Sequence, residues 1–269
     1  MLNSRLGLTL NTSRFPDLVH SRVVDLSVPS CIQFQIRHLP STIVPSMDTA
    51  RIAALLQPFL LAVPNSCHSE PAKAGEEPAF LSPAQIQSIS TYIDILLHWN
   101  ARINLTAIRS PEEIVLRHFG ESLFAASRLL SNETTRVADI GSGAGFPGLP
   151  LKLWAPQMSL TLIESNHKKS TFLREVVRTL ALTNVNIKNV RAELLTETFD
   201  LVTLRAVEDF ASILPTAATL VAPAGRLGLL ISSPQIESAR ASLPHLSWSN
   251  PVPIPLSTSR VVLLGRRPR

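Results

Sequence analysis

Cysteine and glycine are scarce in this sequence of 269 residues, which has two cysteines and ten glycines. Cys31 and Cys67 form neither a CxxC pair nor a zinc-type Cys/His spacing, so we expect a reducing compartment and no structural metal. The longest apolar run, 52–63, is interrupted by Gln57 and Pro58 and is too short to span a bilayer. We therefore expect no membrane partner.

Length and apolar content indicate a folded chain. With 45% apolar and 17% charged residues, the chain can form one large domain or one domain with a small appendage. A disordered or collagen-like protein is excluded. The formal net charge of +5 favours a polyanionic partner, although composition alone does not decide this.

Proline marks the N-terminal segment, since nine of the 21 prolines lie before residue 84. Residues 1–81 show no sustained helical or strand periodicity, and we predict a poorly ordered extension there. Met47 opens a helix-like run over 48–61. Translation from Met47 is therefore an alternative to the start at Met1.

The pattern becomes helical at Ser82. Ser82, followed by Pro83 and Gln85, has the spacing of a capping box, and apolar residues recur behind it at helical intervals. A second start of this kind follows at Ser110. We predict a helical part over 82–130.

Strand-like and helix-like stretches alternate over 131–269. This alternation predicts an α/β domain with a mostly parallel sheet and helices on both faces. The last two β-like runs, 252–254 and 260–264, flank a Ser-Thr-Ser turn and predict an antiparallel hairpin at the sheet edge.

Four of the ten glycines, Gly141, Gly143, Gly145 and Gly148, lie within eight residues at the first strand-to-helix turn of that domain. Missing Cβ atoms at such a turn let the backbone come within contact distance of a ligand. Glu164 ends the next predicted strand, where an acid can accept both hydroxyls of a ribose. Together these features predict a nucleotide site.

Phe146 and Pro147 argue against a dinucleotide. A pyrophosphate would bind at the helix N-terminus, where Pro147 removes a donor and Phe146 crowds the approach. A nucleoside that carries an amino acid fits better, and S-adenosylmethionine is such a ligand, with methyl transfer as the expected reaction. Asp139, which precedes the glycines, either holds the turn or meets the ligand's ammonium group. Ser142 lacks the G-x-S-x-G context of a serine hydrolase.

Two segments carry a specific resemblance. Residues 139–151, DIGSGAGFPGLPL, and 99–123, WNARINLTAIRSPEEIVLRHFGESL, resemble the bacterial 16S ribosomal RNA guanine-N7 methyltransferases, also called the glucose-inhibited division protein B family. The resemblance runs from about Leu81 to the C-terminus. It implies a class I, Rossmann-like methyltransferase fold with a small N-terminal helical part. It also implies S-adenosylmethionine as cofactor and a guanine in a loop of 16S ribosomal RNA as methyl acceptor.

The resemblance assigns residues by motif. The residues implied to hold S-adenosylmethionine are Gly141, Gly143, Phe146, Glu164, Ala192, Glu193 and Arg205. The residues implied to contact RNA are Lys168, Lys169 and Arg191. Arg205 is expected to position reactants beside the target pocket. The family has Ser where this chain has Leu204, and Lys-Gly where it has Ile231 and Ser232; the missing lysine bears on RNA affinity or rate.

Guanine N7 carries an in-plane lone pair and no proton, so its methylation needs no general base, and in-line alignment supplies much of the catalysis. Aromatic residues are scarce at 5%, which favours recognition of a folded loop with one inserted base over an extended stacking platform. For His118, a buried or capping role is expected ahead of contact with RNA or cofactor.

Three functions remain open on sequence alone. The first is methylation of 16S ribosomal RNA, on the naked RNA or the small ribosomal subunit, by a cytoplasmic monomer. The second is a class I methyltransferase of a protein or small molecule, which would not need the basic residues between 168 and 191. The third is a non-catalytic ribosome-binding protein that keeps the cofactor fold.

Overall fold

The computed structural model describes residues 47–61, 81–131, 134–207 and 209–269. The predictions made for 1–46 and 62–80, including those on Cys31 and Cys67, lie outside these residues. The helices are α1 (Thr49–Leu61), α2 (Pro83–Asn100), α3 (Pro111–Ile114), α4 (Glu121–Leu129), α5 (Gly148–Trp154), α6 (His167–Thr179), α7 (Phe210–Thr219) and α8 (Gln235–Ser242). The strands are β1 (Arg136–Ile140), β2 (Ser159–Ile163), β3 (Val185–Lys188), β4 (Phe199–Arg205), β5 (Val221–Ser232), β6 (Ser247–Trp248), β7 (Val252–Pro253) and β8 (Arg260–Arg266).

The strands form one sheet in the order β3-β2-β1-β4-β5-β8-β6, and β7 also pairs with β8. The first five strands are parallel, whereas β8 runs antiparallel to β5 and to its short partners β6 and β7. The predicted parallel sheet and the hairpin of β7 and β8 are confirmed. The sequence analysis missed α8 and β6, which lie between β5 and that hairpin.

Two apolar layers cover the sheet because alternate residues of each strand face opposite sides. On β1, Val137 packs with the helices α1 to α6, while its neighbour Ala138 packs with α7 and α8. The same division occurs on β4, between Leu201 and Val202. Helices therefore lie on both faces, as predicted.

Capping side chains set the start of the helical part. The Ser82 amide donates to Gln85 Oε1 at 2.7 Å and the Gln85 amide donates to Ser82 Oγ at 3.3 Å, which confirms the capping box. Asn100 ends α2 and its Oδ1 accepts from the amides of Leu105 and Thr106. This buried asparagine holds the 101–109 connector against the end of α2.

Helix α1 corrects the expectation of little order over residues 1–81. Ile52, Leu56 and Phe59 of α1 are buried in the same core as α2 and α4, and the Phe59 ring packs against Gly120. The helix-like run over 48–61 predicts this helix, although the proline-rich composition of 1–81 favoured little order around it. Among the described residues, no helix is long and apolar enough to cross a membrane.

Candidate functional site

The order of strands reverses between β1 and β4, and in open α/β sheets the crevice at the carboxyl ends beside such a reversal is the usual ligand site. Ile140 of β1 is in register with Leu204 of β4. The next residues, Gly141 after β1 and Arg205 at the end of β4, therefore lie side by side at this edge of the sheet. The glycine loop and the predicted arginine thus meet at this edge.

The loop glycines have different tasks. Gly143 has a φ of +55°, and a Cβ there would meet only the Gly141 carbonyl oxygen, at 3.7 Å. A Cβ on Gly145 would instead collide with the Tyr92 hydroxyl, which donates to the Ala144 carbonyl at 2.5 Å. Gly145 therefore lets the loop pack on α2, whereas Gly143 presents bare backbone to open space.

Glu164 lies at the end of β2 and holds this loop. Its Oε2 accepts from the Gly143 amide at 2.9 Å and its Oε1 from the Asn166 amide at 2.7 Å. The side chain is buried, and each carboxylate oxygen keeps a further lone pair. The acid that the sequence marks as a ribose ligand is therefore fixed beside Gly143.

The described contacts of Asp139 favour the first of its two predicted roles, holding the turn, over meeting the ligand's ammonium group. Its Oδ2 accepts from the Gly148 amide at 3.2 Å and its Oδ1 from the Thr203 hydroxyl at 2.8 Å, and the side chain is fully buried. Burial raises the pKa of Asp139 to about 7, against the opposing effect of these hydrogen bonds. The residue holds the turn from within the core.

A cleft of about 550 Å³ opens in front of the loop. One wall is the glycine loop, the second comes from the helical part and its connector, and the third from β5, α8 and β8. Its charged lining residues are Arg117, Lys169, Arg205 and Arg260. Since no Asp or Glu lines the cleft among the described residues, it is suited to an anionic ligand.

Three of these arginines converge on one buried carboxylate. Glu121, with a side chain only 2% exposed, lies 3.0 Å from Arg205, 2.5 Å from Arg260 and 3.7 Å from Arg117. Burial raises the pKa of Glu121, and the three guanidinium groups oppose that rise. The sequence analysis missed Glu121 and Arg260. The spacing of Arg117 and Glu121 by four residues was a usable signal for a pair, but no local pattern links Arg260 to them.

Arg205 ties the sheet to the helical part. A π-helical segment, Val115–Gly120, joins α3 to α4, and Arg205 donates to the Arg117 carbonyl at 2.5 Å and to the His118 carbonyl at 3.4 Å. Segments of this kind occur often at functional sites. Arg205 is thereby held at the cleft with most of its donors engaged.

His118 borders the cleft from the same segment. Its Nε2 lies 2.8 Å from Thr106 Oγ1, and its Nδ1 is buried without a hydrogen-bond partner. Burial lowers the pKa of His118 to about 3, with further lowering by Arg205, Arg117 and Arg260. The side chain is half-buried and the ring also reaches the cleft, so the buried role and the contact with RNA or cofactor both stay predictions.

The lowered pKa of His118 predicts that the folded chain loses stability in acid. Below pH 6.5 the unfolded chain binds a proton at His118, whereas the folded chain does not until about pH 3, so the free energy of unfolding falls as pH decreases through this window. From pH 7.5 to 5, urea unfolding of the unaltered chain should lose up to about 2 kcal/mol more than His118→Phe, which cannot titrate. Equal losses in the two proteins would contradict the lowered pKa.

The structure brings together five of the residues predicted for the site: Gly141, Gly143, Phe146, Lys169 and Arg205 all line the cleft, with Glu164 bonded to Gly143. The others lie outside that lining. Lys168 and Arg191 are exposed, Glu193 is exposed in the 3₁₀ turn Ala192–Leu194, and Ala192 is buried against the face that α7 covers. Their roles stay predictions.

Of the two departures from the family pattern, only the second, at Ile231 and Ser232, falls at the third wall. Leu204 is buried in the core, and Ser232 lines the cleft, where its amide and hydroxyl donate to Gln235 Oε1 at 2.9 and 2.8 Å. Within the described part of the chain, no group of three His, Cys, Asp or Glu side chains could hold a metal ion.

The sheet order, the glycine loop after β1 and the acid at the end of β2 define a class I methyltransferase. A solved structure with this fold is magnesium protoporphyrin IX methyltransferase from Synechocystis PCC 6803, with a TM-score of 0.51 and 15% identity, covering 66% of this chain and 94% of that one. The family model described as rRNA small subunit methyltransferase G matches residues 85–242. The chain belongs to this family.

Two curated relatives show the extent of the similarity. Ribosomal RNA small subunit methyltransferase G of Xylella fastidiosa (strain 9a5c) is 38% identical over 193 residues, covering 70% of this chain and 90% of its own. The protein of the same name from Desulfitobacterium hafniense (strain Y51) is 43% identical over 151 residues, covering 54% of this chain and 62% of its own.

Proposed function

We propose that this chain transfers a methyl group from S-adenosylmethionine to N7 of a guanine in a loop of 16S ribosomal RNA. Its membership of the rRNA small subunit methyltransferase G family carries this conclusion, because the match at 85–242 includes every residue that lines the cleft except Ser259 and Arg260. We expect the protein to act in the cytoplasm as a monomer, on the naked RNA or on the small ribosomal subunit.

The residues at the carboxyl edge fit the cofactor. Bare backbone at Gly143 faces the cleft, and the Glu164 carboxylate beside it has lone pairs for two ribose hydroxyls. We assign cofactor binding to the residues named from the sequence, Gly141, Gly143, Phe146, Glu164, Ala192, Glu193 and Arg205. Bound there, S-adenosylmethionine would supply an electrophilic methyl group on a sulfonium.

The chain's own part in the reaction is to position the base. Guanine N7 has a free lone pair, so no side chain needs to remove a proton. His118 is neutral with Nδ1 buried and Nε2 engaged by Thr106, and no carboxylate lines the cleft among the described residues. The walls therefore contribute alignment and exclusion of water, and Arg205 positions rather than transfers a proton.

The cations of the cleft suit the RNA backbone. Lys168 and Lys169 open α6, where the Asn166 side chain caps the helix by accepting from both of their amides. Lys169 lines the cleft and Lys168 is exposed beside it. We assign phosphate contacts to Lys168, Lys169 and Arg191.

Loss of the Lys169 charge should weaken RNA binding. Lys169→Gln should lower affinity for small ribosomal subunits about tenfold, since a hydrogen bond to a charged group contributes ~1.5 kcal/mol, and should reduce the slope of log K against log salt by about one. Arg178→Gln makes the same charge change on α6 about 14 Å further along the helix and should have little effect. Equal losses in both variants would show that the whole helix binds RNA, and no loss would remove Lys169 from the contact.

Mass mapping of ribosomal RNA tests the function as a whole. In a strain lacking the gene, one guanine of 16S ribosomal RNA should lose a methyl group, and the complementing gene should restore it. Purified protein should then methylate subunits from that strain. Unchanged RNA would contradict the proposal, methyl transfer to a protein or small molecule would support the second candidate, and salt-sensitive RNA binding without transfer would support the third.

A further inference from the structure

His118 belongs to a set of stacked rings that runs from the core to the cleft. The Phe146 ring lies nearly parallel to Tyr92, with centroids 5.4 Å apart and an interplanar angle of 5°, and to His118, at 4.7 Å and 21°. Phe119 packs edge-on against both Tyr92 and Phe146, at 5.2 and 5.1 Å. Tyr92 is fully buried, whereas His118 and Phe146 line the cleft. The rings of His118 and Phe146 are thus held rigidly at its wall.

Neither nitrogen of His118 is available to a ligand in the cleft. Nε2 is engaged with Thr106 Oγ1 at 2.8 Å, and Nδ1 is buried. The partly exposed remainder of the imidazole is therefore carbon and π surface. A flat, rigid π surface of this kind binds the face of a nucleobase and does so for any base.

The surroundings favour an RNA base as the occupant. Arg117, Arg205 and Arg260 line the same cleft, converge on Glu121 and suit the phosphates that flank a base. A neutral ring also suits the product, because N7-methylated guanine is a cation that a protonated imidazole would repel.

We propose that His118 is the platform on which the target guanine stacks, with Phe146 and Tyr92 supporting its ring from behind. This inference rests on the proposed function and deepens it by naming the wall that holds the inserted base. It gives this set of rings one local role in holding a single base, in place of an extended stacking surface.

Two substitutions at one position separate the ring surface from the nitrogens. His118→Leu keeps an apolar side chain but removes the flat surface, and it should lower kcat/KM for small ribosomal subunits about 10- to 100-fold, with the loss mainly in KM. His118→Phe keeps the surface and should stay within about threefold of the unaltered protein. Affinity for S-adenosylmethionine, measured by calorimetry, should be unchanged in both.

Further variants control for folding and for position. Thr106→Val removes the hydrogen bond that fixes Nε2 while the ring keeps its stacking on Phe146, so it should raise KM by less than His118→Leu does. If His118→Leu does not fold, His118→Phe carries the test, because loss of activity in it would show that the nitrogens and not the ring surface act. His98→Leu makes the same exchange at an exposed site of α2 outside the cleft lining and should leave the kinetics unaltered.

The results that would contradict this proposal can be told apart. Full activity of His118→Leu would overturn the platform, and so would a His118→Phe protein as impaired as His118→Leu, because the nitrogens would then carry the effect. If the affinity of His118→Leu for S-adenosylmethionine fell as much as its kcat/KM for small ribosomal subunits, the ring would lie against the cofactor instead of the base. If the unaltered protein methylates no ribosomal RNA, the proposed function fails, independently of this inference.

Discussion

Gly143→Val should raise the dissociation constant for S-adenosylmethionine at least about 100-fold while the chain still folds. The position has a φ of +55° and faces open space, so the new side chain meets little protein and instead projects to where the ligand must approach. The left-handed backbone itself costs an L-residue ~1–2 kcal/mol, which the fold tolerates. Calorimetric titration with the cofactor and urea unfolding measure the two effects.

A matched control variant separates the backbone strain of a side chain at positive φ from the steric block of the ligand. Asn184 also has a φ of +55° and lies exposed in the turn before β3, away from the cleft lining. Asn184→Val should therefore lose a similar amount of stability and keep full cofactor affinity. An unchanged dissociation constant in Gly143→Val would contradict the assigned pocket.

Arg205→Ala should reduce methyl transfer at least about 100-fold at saturating cofactor in single-turnover assays. The guanidinium is held by Glu121 and by the carbonyls of Arg117 and His118, so its removal disturbs two walls of the cleft at once. Stability should fall by about 2 kcal/mol, less than for a fully orphaned buried charge, because Arg260 still lies 2.5 Å from Glu121.

Two further variants define how Arg205 acts. Arg240→Ala removes an arginine that pairs with Glu237 on α8, outside the cleft lining, and should leave transfer unchanged. Glu121→Gln removes the charge that pairs with Arg205 while the guanidinium keeps its bonds to the Arg117 and His118 carbonyls, so transfer should fall less than in Arg205→Ala. Full activity of Arg205→Ala would contradict the positioning role assigned to Arg205.

Local patterns were sufficient for most of the fold. The capping box at Ser82, the alternation of strand and helix after residue 135 and the turn between β7 and β8 are each encoded within a few neighbouring residues, and each is confirmed. Helix α1 was undervalued because the proline content of its surroundings outweighed a short apolar stripe. β6 and α8 carry too little periodicity to be recognised alone.

The glycine loop and Glu164 were predictable as a site because their chemistry follows from spacing along the chain. Their physical basis is local: a strand-to-helix turn without Cβ atoms, followed by an acid at the end of the next parallel strand. The hydrogen bond from the Gly143 amide to Glu164 joins them as that spacing implies.

The sequence by itself determined the fold class and the family of this protein, and it marked the glycine loop and Glu164 as the proposed cofactor edge. Only the tertiary structure decided that Glu121 gathers Arg117, Arg205 and Arg260, and that His118 stands in front of Phe146 and Tyr92. These contacts join the helical part to β4, β8 and the glycine loop. In most of these pairs, the two residues lie more than fifty positions apart in the sequence. Short-range patterns carry the information for secondary structure, whereas such long-range contacts are set by how whole elements pack.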